Sequence, residues 1–245
     1  MERWDLPRMP ERLFQVLITD NETGVVTFTE KLERNIGSLR ATYPNAVYRR
    51  YVDEELLDFI ADNYPNEVLQ AYQGMRPNAF KADLARYCLL HTYGGLYSDL
   101  SYFHVRSIEI GDADMVVFRD IPGHPSWATS NAVIYAKPNS PVLYRAIERV
   151  VSHFKHGYYG IHPLEPTGPY MLGRVLAETQ NWMSITFGDS QWQEDTAAGK
   201  RIVKVLPNEM VVAIRNKAVS GQISDLIAGG GNNYIQLWYD RRIWK

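Results

Sequence analysis

A single cysteine, Cys88, is all the sulfur chemistry that this 245-residue chain carries beyond methionine. No internal disulfide can form, and such usage fits a reducing compartment. Cys88 follows Tyr87 and precedes Leu89 and Leu90, which marks it as core rather than nucleophile. Excess positive charge is also missing. Lys and Arg number 26 against 28 Asp and Glu, a formal net charge of -2, which excludes a general nucleic-acid binder. No apolar run approaches membrane-spanning length, and the opening MERWDLPRMPERLF lacks the apolar segment of a signal peptide. The expectation is a soluble, cytoplasmic protein. Several motifs are absent as well. No G-x-x-x-x-G-K-[ST] and no helix-opening G-x-G-x-x-G occurs, which speaks against P-loop and dinucleotide-binding folds. There is no H-E-x-x-H, no cysteine metal cluster and no G-x-S-x-G elbow.

What is present is a core-forming composition. Hydrophobic residues make up 45% of the chain, enough for one large domain over 1–245. Tyr (16) and Trp (6) make it aromatic, which suits stacking on sugars or bases and equally suits packing. Strands are predicted at 12–19, 46–51, 96–101, 115–118, 131–136, 202–206 and 210–214. Helices are predicted at 30–42, 53–63, 67–72, 78–93, 141–154 and 170–178. This alternation implies an α/β domain with a mixed, mostly parallel central sheet flanked by helices. Ligands of such sheets bind at the carboxyl ends of strands.

The most informative stretch is 78–101, NAFKADLARYCLLHTYGGLYSDLS. Asn78 is placed to cap a helix, and Gly94-Gly95 to stop it. Phe80, Leu84, Tyr87, Cys88 and Leu89 leave that helix little surface for water. Asp83 and Arg86, three apart, share one side of it. An exposed intrahelical pair would be worth only about 0.2–0.5 kcal/mol; a charged pair facing a polar ligand is the other reading, and spacing admits both equally. In the strand that follows, alternation puts Tyr97, Asp99 and Ser101 on one face. The remaining histidines are dispersed. His124 and His162 precede prolines in loops, where solvated imidazoles are expected, and His91 reads as a boundary residue of the central helix.

The segment Ala79, Lys81, Asp83, Leu84, Arg86, Tyr87, then Tyr93-Gly94-Gly95-Leu96-Tyr97-Ser98-Asp99-Leu100-Ser101, closely resembles the DXD region of glycosyltransferase family 32, the Och1-like and capsular sugar transferases. The large clostridial glucosylating toxins are more distant relatives. Weaker echoes are Met9–Gln15 for an opening I-P-K-x-I-H-Q strand, NAVIYAKPNSP, Thr167-Gly168-Pro169, and NNYIQLW for a closing H-H-Y-x-x-S-W. The resemblance implies a GT-A fold and a retaining transfer of a hexose from a nucleotide-diphosphate sugar to a glycan or other hydroxyl acceptor. A lipid-linked acceptor would add a peripheral membrane contact.

By position, the resemblance makes Asp83, Arg86 and Asp99 the catalytic group. Leu17, Tyr97 and Trp238 join them in donor binding, and Asn131, Thr167 and Gly168 lie on the acceptor side. A divalent ion, Mn²⁺ or Mg²⁺, would sit at Asp99, Ser101 and Asn233. A C-terminal segment from about residue 221, hinged at Gly229-Gly230-Gly231, would close over the donor. Three departures bear on the metal. Ser101 is neutral where a carboxylate is usual, and Asn232 and Asn233 replace histidines. Arg241, Arg242 or Lys245 could then supply the charge instead. The alternative is a catalytically weak GT-A domain that binds nucleotide sugar or glycan without efficient turnover. A third reading, a nucleotidyltransferase of related fold, needs a Gly-rich loop that 18–25 does not offer.

Overall fold

Five of the six residues of β1 (Arg12–Leu17) are buried, as a strand covered on both faces requires. The structure, a computed structural model, describes residues 8–19, 28–179, 184–195, 199–217, 226 and 232–245. Helix α1 (Glu30–Thr42) starts at Thr29, whose hydroxyl accepts the Leu32 N–H at 3.3 Å. Then come β2 (Val47–Val52), α2 (Asp53–Asn63), α3 (Asn66–Gly74), α4 (Asn78–Tyr93), β3 (Gly95–Ser98) and β4 (Tyr102–His104). β5 (Met115–Arg119), β6 (Thr129–Ala136), α5 (Pro141–Lys155) and α6 (Pro169–Glu178) follow. β7 (Ile185–Asp195), β8 (Gly199–Val205), β9 (Val211–Arg215) and α7 (Tyr234–Tyr239) complete the described elements.

The strands form one nine-stranded sheet in the order β2-β1-β3-β6-β5-β7-β8-β9-β4. It is mixed, as expected, but not mostly parallel. β1 pairs in parallel with β2 and β3, and β5 with β7. The other five pairings among the described residues are antiparallel. The physical reason lies in the connections. Helical crossovers join the first strands, whereas the connections between β5 and β6, β7 and β8, and β8 and β9 are too short for a parallel crossover.

β7 is long enough to serve two partners: its first half pairs with β5 and its second with β8. Helices α2 to α6 pack on one side of the sheet in the larger core. On the other side α1 packs on β4, in a second core that includes Leu39, Tyr43, Tyr102, Phe118 and Val212.

Two strands escaped prediction. β4 has three residues, and the outer half of β7, DSQWQED, is too polar to register as a strand. The predicted strand at 96–101 also stops early. β3 ends at Ser98, and the chain turns so that the Tyr102 N–H donates to Asp99 O at 3.1 Å. Asp99 and Ser101 therefore sit in a turn, not on the strand face alternation assigned them. Asn78 opens α4 without capping it. The Asn78 N–H donates to Asn232 Oδ1 at 3.0 Å, while Asn232 Nδ2 donates to Arg76 O at 2.7 Å. The cap thus comes from the far end of the chain.

The stop of α4 is as specific as its start. Gly94 (φ 62°) and Gly95 (φ 118°) adopt backbone conformations that a side chain disfavours. A Cβ at Gly95 would lie 2.6 Å from Arg12 O, on the strand that β3 must pair with. Gly95→Ala is expected to cost about 1–3 kcal/mol, read as a lower midpoint in urea with unchanged slope. An unchanged midpoint would show that the β1–β3 contact tolerates a side chain.

Candidate active site

α4 is buried on nearly every side, so its charged residues must find partners inside the fold. Arg86, 4% exposed, satisfies this with every nitrogen. Its Nε donates to Ala82 O at 3.0 Å and its Nη1 to Asn131 O at 2.6 Å. Nη2 pairs with Asp83 Oδ1 and Nη1 with Asp99 Oδ1, both at 3.0 Å. The guanidinium also lies over the Tyr97 ring, 4.5 Å from its centroid. Asp83 and Arg86 are therefore not the exposed helical pair that spacing allowed. Removing one partner of such a buried pair costs about 3–5 kcal/mol.

Asp83 takes two further donors, Asn131 Nδ2 at 2.8 Å and Thr167 Oγ1 at 2.7 Å. Tyr87 braces both, donating to Thr167 O at 2.9 Å and accepting from Asn131 Nδ2 at 3.0 Å. Burial drives the Asp83 carboxyl up to about 6, against the opposing pull of Arg86, Thr167 and Asn131. Gly168 lies beside Asp83 Oδ2, and its lack of a side chain leaves that oxygen uncovered on the cleft side. Asp99 Oδ1 accepts the Tyr97 hydroxyl at 2.8 Å, and its carboxylate is about a third exposed. Burial pushes the Tyr97 hydroxyl well above its ordinary value, so it stays a donor.

These groups face one cleft of about 500 Å³, lined also by Leu17, Ser101 and Asn131. Leu17 packs with Leu32, Leu100 and Leu226 and offers an apolar wall. Thr167 stands behind Asp83, through which it reaches the cleft. Two predicted positions are engaged elsewhere. The Trp238 indole N–H donates to Tyr159 O at 2.7 Å, and the C-terminal residues that line the cleft are Asn232, Tyr234, Ile235 and Tyr239. Asn233 caps α7, its Oδ1 accepting from the Ile235 and Gln236 amides. The predicted hinge Gly229-Gly230-Gly231 and Trp182 lie outside the described residues. Of the cations expected to supply charge, Arg241 stacks over Tyr159 at 4.6 Å. The cations lining the cleft are Arg86, Arg215 and Lys217.

Among the described residues, the donor set does not fit a tightly bound divalent cation. Of the carboxylates facing the cleft, Asp83 is taken by Arg86, Asn131 and Thr167, and Asp120 by His124. One oxygen of Asp99 is shared between Arg86 and Tyr97. Its second oxygen and the neutral Ser101 hydroxyl remain, short of the oxygen cage such ions require.

The histidines correct a sequence expectation. His124 and His162 are half-buried and line the cleft together, rather than standing apart in solvent. His124 Nδ1 lies 2.7 Å from Asp120 Oδ2, and His162 stacks on Tyr170 at 4.5 Å. The spacing of Asp120 and His124 is visible in the sequence, but only the turn between β5 and β6 brings them together.

Solved structures share this fold. The PaToxG glycosyltransferase superposes with a TM-score of 0.53 at 16% identity, covering 69% of each chain. The ligand-free glycosyltransferase domain of the YGT toxin gives 0.52 at 8% identity, over 73% of this chain and 80% of that one. This is the GT-A glycosyltransferase fold. Within it, residues 17–126 match the glycosyltransferase sugar-binding region containing the DXD motif. Curated relatives include inositol phosphoceramide mannosyltransferase 1 of Schizosaccharomyces pombe, 25% identical over 164 residues, covering 65% of this chain and 48% of that protein. Mannosyl phosphorylinositol ceramide synthase SUR1 of Saccharomyces cerevisiae is 25% identical over 142 residues, covering 57% and 36%. The chain thus spans less than half the length of these relatives. The DXD segment of this GT-A domain reads Asp99-Leu100-Ser101.

Asp83 binds its proton more readily in the folded protein than in the unfolded chain. Its contribution to stability is therefore present at low pH and lost as pH rises through about 6. Wild-type stability relative to Asp83→Asn is expected to decline between about pH 4 and 6 and to level off by about pH 7. A difference that rises through this window would mean that the partners outweigh burial.

Proposed function

We propose that this chain is a retaining glycosyltransferase that moves a hexose from a nucleotide-diphosphate sugar to a glycan or other hydroxyl acceptor. The observation that carries this reading is the buried Arg86, which fixes Asp83 and Asp99 side by side at an open cleft. Two oriented carboxylates suit the hydroxyls of a sugar ring, because a carboxylate accepts several hydrogen bonds in fixed directions. Arg86 holds both immobile, so the sugar meets acceptors that need no reorganisation. The nucleotide lies toward Leu17 and the β1 end, and its diphosphate faces Arg215 and Lys217. The mannosyltransferase names of the curated relatives support a hexose, with nucleotide-linked mannose first to be tried. The retaining course rests on the family resemblance alone.

A second reading keeps the same pocket without efficient turnover. It is favoured by Ser101 in the DXD segment and by Asn232 and Asn233, whose amides serve as helix caps. Calorimetry with UDP-glucose, UDP-N-acetylglucosamine and GDP-mannose, paired with nucleoside diphosphate release, separates the two. Release with at least one donor, lost in Asp99→Ala, is expected. Tight binding with no release supports the second reading, and neither binding nor release overturns both. Ser101→Asp is expected to tighten Mn²⁺ binding about tenfold or more, measured by water-proton relaxation with bound nucleoside diphosphate. Unchanged binding would remove position 101 from the diphosphate side of the cleft.

A further inference from the structure

The cleft holds a second polar cluster that donor binding does not use. Asp120 follows β5 and is only 6% exposed. Its N–H donates to Ala128 O at 2.8 Å, and the His124 N–H donates to Ile121 O at 3.2 Å, so a tight turn fixes both residues. His124 Nδ1 and Asp120 Oδ2 are 2.7 Å apart. An ionised carboxylate only accepts, so Nδ1 carries the hydrogen and Nε2 keeps its lone pair, turned away from Asp120. His162 has the opposite arrangement. Its Nδ1 accepts the Leu164 N–H at 3.2 Å, which leaves Nε2–H as a donor. Burial, reinforced by His124, holds the His162 ring below the ordinary histidine value and hence neutral. The two rings meet edge-on with centroids 5.8 Å apart. Trp127, 42% exposed, lies edge-on to Tyr170 at 5.2 Å, a face on which a sugar can stack.

We infer that His124 is the base that receives the proton of the acceptor hydroxyl, with Asp120 as its positioning residue and His162 as a hydrogen-bond donor to the acceptor. The inference rests on the transferase reading above and adds to it the acceptor side of the reaction. The acceptor O–H bond breaks and its proton goes to His124 Nε2. The oxygen bonds to the anomeric carbon of the donor on the face that the diphosphate leaves, as retention in one displacement requires, and the bond from that carbon to the diphosphate breaks. The electron pair leaves on the nucleoside diphosphate. The titratable groups around His124 are Asp120 on its own turn, His162 from the facing loop and Tyr170 from α6, with Glu165 behind them, while Lys204, Tyr102 and Tyr234 face Asp120. The His124–Asp120 pair shares no hydrogen bond with Arg86, Asp83 or Asp99, so it can be altered without breaking a contact of those carboxylates.

The test uses the full chain and the three nucleotide sugars named above, with methyl α-mannoside and methyl β-glucoside as soluble acceptors. His124→Gln is expected to lower kcat about 100-fold or more, with donor affinity within twofold and the acidic limb of the rate profile flattened. Asp120→Asn is expected to lower kcat less and to shift that limb, with partial rescue in Asp120→Glu. Nitrogen-15 NMR of the imidazoles supplies a readout independent of turnover: neutral His124 is expected with its hydrogen on Nδ1. Hydrogen on Nε2, or wild-type kcat and an unchanged profile in His124→Gln, overturns the inference while leaving the transferase reading intact. No transfer by the wild-type chain in any combination removes the reaction itself and overturns both.

Discussion

The ion pairs of Arg86 hold this site together. A guanidinium buried within a nearly all-apolar helix is costly unless every donor is used and every neighbouring charge is matched. Arg86 meets both conditions by reaching a carbonyl on its own helix, a carbonyl on β6, and one carboxylate on each side. In doing so it ties α4 to β6 and to the turn after β3. All three wall the cleft. Fold and site are thus stabilised by the same contacts.

The supporting residues serve that arrangement from a distance. Tyr87 orients Asn131 and the backbone of Thr167, which in turn hold Asp83. Gly94 and Gly95 let α4 stop abruptly and release β3 directly beside β1. Asn232 fastens the C-terminal segment to the start of α4, alongside backbone bonds from Arg76 to Ile243 and from Lys245 to Gly74. Lys204, fully buried, donates to Ser190 Oγ at 2.7 Å and is lowered to about 8 by burial, against the pull of Asp120 and Asp99. It anchors β8 to β7 beneath the acceptor side.

Much of the Arg86 group was legible in the sequence because its residues are local. Asp83, Arg86, Tyr97 and Asp99 fall within one short segment whose helix, glycine stop and strand impose their spacing. Their mutual contacts were not readable, because alternation carried Asp99 onto the strand face when a turn in fact holds it. The outer sheet was hidden for a different reason: β7 is polar along the half that pairs with β8, so it carries no hydrophobic period. The cluster of His124, His162 and Tyr170 was missed because these residues come from separate loops and a helix. Nothing in their local sequence distinguishes two half-buried imidazoles that share a cleft from two separate solvated histidines. Asn232 escaped likewise, since a cap supplied across the whole chain leaves no local signature.

The central claim is that Arg86 presents Asp83 and Asp99 to the hydroxyls of a donor sugar. A crystal structure with a non-hydrolysable nucleotide hexose tests it most directly. The account predicts sugar hydroxyl oxygens within about 3.2 Å of both carboxylates, with the Arg86 contacts unchanged. A sugar ring seated elsewhere in the cleft, with Asp83 and Asp99 touching only protein, would contradict it.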